Sequence, residues 1–355
     1  MGGRLQRQLT NAEIAELLAR QAEQTRPPAQ RALRRASRRA FLWEEEASQL
    51  FCSRRSLTEL SGAGPYIARL MKDWIAAPPR IPKPPPIRAG FITLPNARAA
   101  LARQSGWLSG VKGDLQMHTV WSDGGSTITE MAKAAIERGY EYIAVTDHSK
   151  GLKIAGGINE AQLEQQAEEI RSVNASLAAA GKKFRVLRSI ELNLNPQGVG
   201  DMSCEALNRL DIVLGCFHSA LRKTEDQTNR YLAALRNPDV HILGHPRGRV
   251  YNFRLGLIAN WPAIFEEAAE LDKAFEIDGY PDRQDLSPDL VQLAAKAGCR
   301  ISLGTDSHGA SQLGFMEIGA ASALLGKLKP ERILNFMSAE ELIGWVQKLR
   351  SRQAA

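Results

Sequence analysis

The stretch "GDLQMHTVWSDG", Gly113–Gly124, decides how the chain is read. Its first half alternates apolar and polar residues, the pattern of a strand. On a strand Gln116 and His118 share a face, because side chains alternate with period two. The run stops at a Ser-Asp-Gly turn that carries Asp123. A strand end that presents an amide, an imidazole and a carboxylate is a candidate ligand site. A lone histidine in such a place is more often a rim or core residue, so the question is whether other strands end in the same way.

They do. Apolar, β-branched runs recur at 142–148, 184–194, 212–218, 241–246, 274–279 and 300–306, which makes seven with the first. The second ends in Asp147-His148, the third carries Glu191, and the fourth and fifth end in His218 and His245. The sixth carries Glu276 and Asp278, and the seventh ends in Asp306 with His308 beyond it. Helical segments separate most of the runs. One opens with Thr127 and Glu130 as a capping box and stops at Gly139. Another opens with Ser287 and Pro288 and stops at Gly298. Regular βα alternation predicts a parallel sheet or barrel. In a parallel barrel all strand C-termini open on one face, so these polar ends should converge. Imidazoles mixed with carboxylates suit Zn²⁺ or Mn²⁺, with Fe²⁺ as a further candidate, better than Ca²⁺ or Mg²⁺ alone. The sixth histidine, His241, lies four residues before His245, about 13 Å back along a strand. It should be structural, near the other end.

The four cysteines form no CxxC pair, which argues against a disulfide framework and a thiolate zinc site and makes a reducing cytosol the expected compartment. No run is long and apolar enough to predict a membrane helix, and the first twenty residues lack the apolar centre of a secretory signal. Charge is uneven. Residues 1–110 hold 18 Lys+Arg against 8 Asp+Glu, although the whole chain carries only +7. A basic N-terminal part suggests a polyanionic partner, with a solvated arginine face as the plainer alternative.

Six prolines in the nine residues of "PPRIPKPPP" (78–86) predict an extended linker. Before it, Thr10 and Glu13 form a capping box ahead of "NAEIAELLARQAEQ". "AQRALRRASRRAFLWEEEASQLF" reads as a second helix, and "SLTELSGAGPYIARLMKDWI" reads as a short helix, a Gly-x-Gly turn and a helix from Pro65. The expected division is a helical domain over 1–77, a linker over 78–109 and an α/β domain over 110–350.

The stretches "GDLQMHTVWSDGGSTITEMAKAAIERGYEYIAVTDHSKGL", "IELNL", "DIVLGCFHSA", "ILGHPRGR", "FEIDGYPDRQDL" and "GTDSHG" together resemble the PHP (polymerase and histidinol phosphatase) family, and among its members the PHP domain of bacterial family-X DNA polymerases. The resemblance implies a distorted (β/α)7 barrel and a phosphoesterase that uses two to three divalent ions. It also implies the ligand sets. Gln116, His118, Glu191 and Asp306 would surround one ion; Glu191, His218 and His245 a second; and Asp123, His148 and His308 a third. His148, Glu191 and Asp306 would be central to catalysis, and Arg249 would hold a phosphate oxygen. Gln116 departs from the family's His-x-His, which puts the first ion in question. Residues 9–76 resemble the small helical domain that opens those polymerases. Its helix-hairpin-helix would bind DNA through Gly62, Gly64, Tyr66 and Arg69. Leu70 stands where that domain's lyase lysine would be, and only about thirty residues separate the two domains where a polymerase palm would lie, so neither lyase nor polymerase chemistry is expected. Within this resemblance the expected function is action on DNA ends. The alternatives are a small-molecule phosphatase and a weakly catalytic DNA-binding protein with a degenerate metal site.

Overall fold

A computed structural model describes residues 8–354. The first seven residues of the expected helical domain therefore lie outside the described part. Helix α1 (Asn11–Glu23) starts as its sequence dictates. Thr10 Oγ1 accepts from the Glu13 N–H, and the Glu13 carboxylate accepts from the Thr10 N–H, so two otherwise orphaned donors are satisfied. The expected second helix is broken into α2 (Ala29–Arg39), a 3₁₀ turn over Ala40–Leu42, and α3 (Ala47–Cys52). Tertiary contacts override helix propensity at the break. Trp43 turns extended to donate its indole N–H to the Ser61 carbonyl at 3.0 Å, and Glu46 accepts from the Asn11 N–H. After a 3₁₀ turn and the Gly62–Gly64 bend, α4 (Pro65–Ala76) begins with Pro65 in its first turn. Ile14, Leu18, Leu33, Leu50, Ile67 and Met71 form the core of this part.

The expectation of a linker through residue 109 is corrected. Pro78–Pro85 is free of helix and strand, but α5 (Leu94–Ala102) follows, with Thr93 Oγ1 accepting from the Asn96 N–H. Leu94, Ala97 and Leu101, at i, i+3 and i+7, bury one face of α5 in the main barrel core. The proline segment is also tied down at its end. Arg88 is buried and donates to both Glu16 oxygens at 2.8 and 3.0 Å and to Asn252 Oδ1 at 3.0 Å. From the barrel side Tyr251 enters the helical core, edge-on to Phe41 and Phe91, with its hydroxyl 2.9 Å from Ser37 Oγ.

The rest is a parallel barrel. One sheet runs β1 (Gly113–Asp114), β2 (Tyr142–Val145), β3 (Arg185–Arg188). The other runs β4 (Glu191–Asn193), β5 (Leu214–Cys216), β6 (Ile242–Leu243), β7 (Ala274–Asp278), β8 (Arg300–Gly304). The third apolar run thus supplies two strands and is the point of distortion. Pairing passes from β2–β3 to β4 through a backbone bridge between His148 and Glu191, and a bridge between Met117 and Ser307 closes the ring. The Thr127–Glu130 box caps the helix Ile128–Glu137. Ser287 occupies its expected N-cap position but makes no capping bond; its hydroxyl accepts from Arg247 at 3.5 Å. Among the described residues no helix is long and apolar enough to cross a membrane.

Candidate metal centre

The polar strand ends meet at the C-terminal mouth of the barrel. Glu191, at the start of β4, is fully buried and lies at their centre. His218 Nε2 and His245 Nε2 lie 2.8 and 2.7 Å from its Oε1, and His118 Nε2 lies 3.1 Å from its Oε2. His118 Nε2 is also 3.0 Å from Asp306 Oδ1. Asp123 Oδ1 is 3.5 Å from both His148 Nε2 and His308 Nε2 and 3.8 Å from His118 Nδ1. The His118 ring stacks between those of His148 (4.3 Å) and His308 (4.5 Å). Donor atoms close enough to share an ion occur in four overlapping sets. These are His118 with Asp123, His148 and His308; His118 with Glu191 and Asp306; His148 with Glu191 and His218; and Glu191 with Cys216 and His245.

Three buried polar atoms at this spot, Gln116 Oε1, His118 Nδ1 and His148 Nδ1, have no hydrogen-bond partner. An orphaned buried acceptor is costly, and three side by side fit a place where cations belong. The electrostatics agree. Burial would raise the Glu191 pKa, but the surrounding histidines overcome it and hold Glu191 well below the carboxylate range. Asp123 behaves likewise through His148 and His308. Burial pushes His245 down to about 4, so its imidazole stays neutral and free to ligate. Below this layer burial raises Glu276 well above the usual range, with Asp278 adding to the effect; its Oε2 accepts from the His245 N–H at 2.7 Å and orients that ligand.

The structure therefore brings together all nine residues expected to surround ions. Gln116 lies beside His118 as strand alternation requires; it is fully buried, and its Nε2 donates to Glu191 Oε2 at 3.1 Å. His241 lies apart from the cluster. Its Nδ1 accepts from the Val213 N–H at 2.9 Å, and burial lowers it to about 3.

Arg249 is a correction. Its guanidinium turns away from the mouth, donates to the Ala89 and Gly90 carbonyls at 3.1 Å, and lies 3.8 Å over the Phe91 ring. Gly248, at φ +60°, redirects the chain just before it. Arg249 braces the proline segment instead of a substrate oxygen. The arginine at the mouth is Arg283, ion-paired with Asp306 and 3.9 Å from Asp278. It stands inside "GYPDRQDL", a quoted stretch in which nothing in residue spacing marked it. Cys216 was also missed, although a signal existed: it lies two residues before His218, on the same strand face. Burial raises its thiol pKa, with the charges of Glu191 and Glu276 adding to the effect.

Gly62, Gly64, Tyr66 and Arg69 are all exposed at the bend and first turns of α4. Gly62 is at φ +82°, and a Cβ there would crowd Arg39 Cγ at 3.3 Å, so the bend packs tightly on α2. At Gly64 a Cβ would meet nothing within 4 Å, which leaves the start of α4 open to solvent. The first-turn amides of such a helix have no intrahelical acceptor.

The barrel region matches a known protein family. The model of the PHP domain matches residues 114–304. The DNA polymerase/3'-5' exonuclease PolX of Bacillus subtilis is 35% identical over 242 residues, which is 68% of this chain and 42% of the polymerase; the chain therefore spans less than half of that relative. The "Probable phosphatase" of Serratia proteamaculans is 28% identical over 240 residues, 66% of this chain and 94% of that protein. The histidinol phosphate phosphatase of Lactococcus lactis, solved with zinc, L-histidinol and phosphate, aligns with a TM-score of 0.40 at 16% identity and covers 68% of this chain and 94% of its own.

Proposed function

The chain belongs to the PHP domain family, and we propose that it is a metal-dependent phosphoesterase acting on DNA ends, as a 3′–5′ exonuclease or a 3′-phosphatase, with two to three Zn²⁺ or Mn²⁺ ions. The observation that carries this reading is the convergence of His118, His218 and His245 on Glu191, with Asp123, His148, Asp306 and His308 around them. Divalent ions bound there would bring the pKa of coordinated water toward neutrality and offset charge on phosphoryl oxygens. The protein's own share is orientation and charge. Glu191 anchors three imidazoles, Glu276 fixes the His245 backbone, and Arg283 offers a guanidinium suited to a phosphoryl oxygen. DNA contact falls to the Gly62–Gly64 bend, the first-turn amides of α4, Tyr66 and Arg69, with helix N-terminus and side chains both facing the backbone phosphates. The polymerase/exonuclease relative supports a diester substrate.

The test is metal analysis of the purified full chain joined to two assays with added Mn²⁺ or Zn²⁺, one on a 3′-labelled oligonucleotide and one on a small phosphate monoester. Release of label supports the reading. Hydrolysis of the monoester alone replaces it with a small-molecule phosphatase. Salt-sensitive DNA binding without either hydrolysis replaces it with a binding protein whose metal centre is degenerate.

A further inference from the structure

Helix α2 carries Arg31, Arg34, Arg35, Arg38 and Arg39 within eleven residues and no acidic residue. All five are exposed. Like charges at i,i+3 and i,i+4 destabilise a helix, so this face holds a repulsion that its own element does not relieve. Among the described residues only Arg38 has a carboxylate within reach, Asp282 at 3.8 Å. Three of these exposed arginines border a cleft. A cavity of about 330 Å³ lies between α2 and the barrel rim, with Arg35, Arg38 and Arg39 on one wall and Tyr280, Asp282 and Gln312 on the other. The rim wall touches the metal centre. Gln312 Oε1 accepts from the His308 N–H at 2.7 Å, and the Tyr280 ring is 6.4 Å from the His308 ring. The stem of Arg39 also meets the Gly62 bend. Hairpin, arginine wall, cavity and metal centre are thus contiguous.

We propose that this arginine-walled cleft binds the backbone phosphates of a single nucleic-acid strand next to the phosphoester held at the metal centre, so that the enzyme selects polynucleotide ends over small monoesters. This rests on the reading of the centre as a DNA-end phosphoesterase and names how that centre recognises its substrate class. The three arginines outnumber the one carboxylate on the cavity walls. A monoester that fills the metal centre has no second phosphate to place there, whereas a strand has one for each nucleotide. Guanidinium forks bind phosphate without reading bases, so recognition is indifferent to sequence.

The test uses the full chain with Mn²⁺ and compares wild type, R35Q/R39Q, R35K/R39K and R171Q, the last an exposed arginine outside the cleft. The probes are a fluorescein-labelled single-stranded oligonucleotide and p-nitrophenyl phosphate. R35Q/R39Q is expected to raise KM for the oligonucleotide roughly tenfold and to flatten the dependence of log affinity on log salt by about 1.4, at about 0.7 per lost phosphate contact on a single strand. Its turnover of p-nitrophenyl phosphate stays at the wild-type value. R35K/R39K keeps most of the salt slope, and R171Q keeps all of it. Unchanged KM and salt slope in R35Q/R39Q overturn the cleft and leave the DNA-end reading intact. If wild type cleaves p-nitrophenyl phosphate but no oligonucleotide, the DNA-end reading fails, and oligonucleotide anisotropy still decides the cleft. Binding weakened in R35Q/R39Q upholds it, and binding equal to wild type overturns it.

Discussion

Replacing Gln116 by histidine tests the account of the metal centre most directly. Gln116 is held on both sides, its N–H donating to Asp114 Oδ1 at 3.2 Å and its carbonyl accepting from the Asp306 N–H at 3.1 Å. A new side chain must therefore project into the same space. There the amide spends its Nε2 on Glu191 and leaves Oε1 without a partner. A buried unpaired acceptor costs about 1–3 kcal/mol. A cation that takes this oxygen recovers that cost, which at about 1.4 kcal/mol per tenfold is roughly 5–150-fold in affinity. Gln116→Leu, which removes the donor, should weaken the site shared by His118, Glu191 and Asp306 by about that factor. Gln116→His, which supplies a nitrogen, should tighten it by roughly 10–100-fold, the scale on which even changes around the ligands act. The assay is ion content after dialysis, with the chelator concentration that strips half of each ion. Wild type is expected to retain fewer than three ions and Gln116→His more. If wild type retains three, and neither substitution moves the chelator midpoint, Gln116 is an adequate ligand or faces no ion, and this reasoning is wrong.

Other outcomes follow from the same geometry. His148 belongs to two of the four donor sets, so His148→Ala should lower hydrolysis at least ~100-fold and reduce ion content; near-normal turnover at saturating Mn²⁺ would remove it from the centre. Arg88→Met leaves the buried Glu16 carboxylate with only the half-exposed Arg20 as partner and should cost up to about 3 kcal/mol in denaturant unfolding, the low end for a broken buried pair. Adding Glu16→Leu should restore most of that loss, and a double variant no more stable than the single one would show that the pair is not the cause. His241 has its folded pKa lowered to about 3 from 6.5. The unfolded chain therefore takes up a proton that the fold refuses, and stability falls as pH drops from about 6.5 toward 3, by about 1.4 kcal/mol per pH unit. His241→Asn, which keeps an acceptor for the Val213 N–H, should lose that part of the acid sensitivity; identical pH profiles would refute the assignment.

Much of this was legible in the sequence because strand geometry is local. Gln116 and His118 share a face, and the residues at strand ends share a rim, wherever the barrel happens to be distorted. Thr10 and Thr127 announced their helices for the same reason, since a capping box is complete within four residues. What failed depended on contacts far along the chain. The apolar spacing of Leu94, Ala97 and Leu101 was present, but only the barrel core makes a helix of it, and the neighbouring prolines drew it into the linker. Arg249 and Arg283 cannot be told apart by spacing. One φ angle at Gly248 sends the first toward Phe91, and a turn after β7 brings the second to Asp306. Cys216 was set aside because cysteines were judged by pairing with each other, whereas its neighbours in space are Glu191 and His245.

The contact that Tyr251 and Arg88 make between the helical part and the barrel limits how the two can be taken apart. Tyr251 belongs to the helical core although the barrel supplies it, and Arg88 is neutralised by α1 although it precedes the barrel. A truncation that deletes the helices would leave an aromatic ring facing water and Arg88 without its carboxylates, next to the segment that Arg249 braces. Loss of hydrolysis in such a fragment would report collapse of the interface and say nothing about whether the helices touch DNA. Genetic dissection of this protein has to proceed by exposed point substitutions, and a natural fusion or fission of the two parts would have to rebuild residues 88, 249 and 251 together.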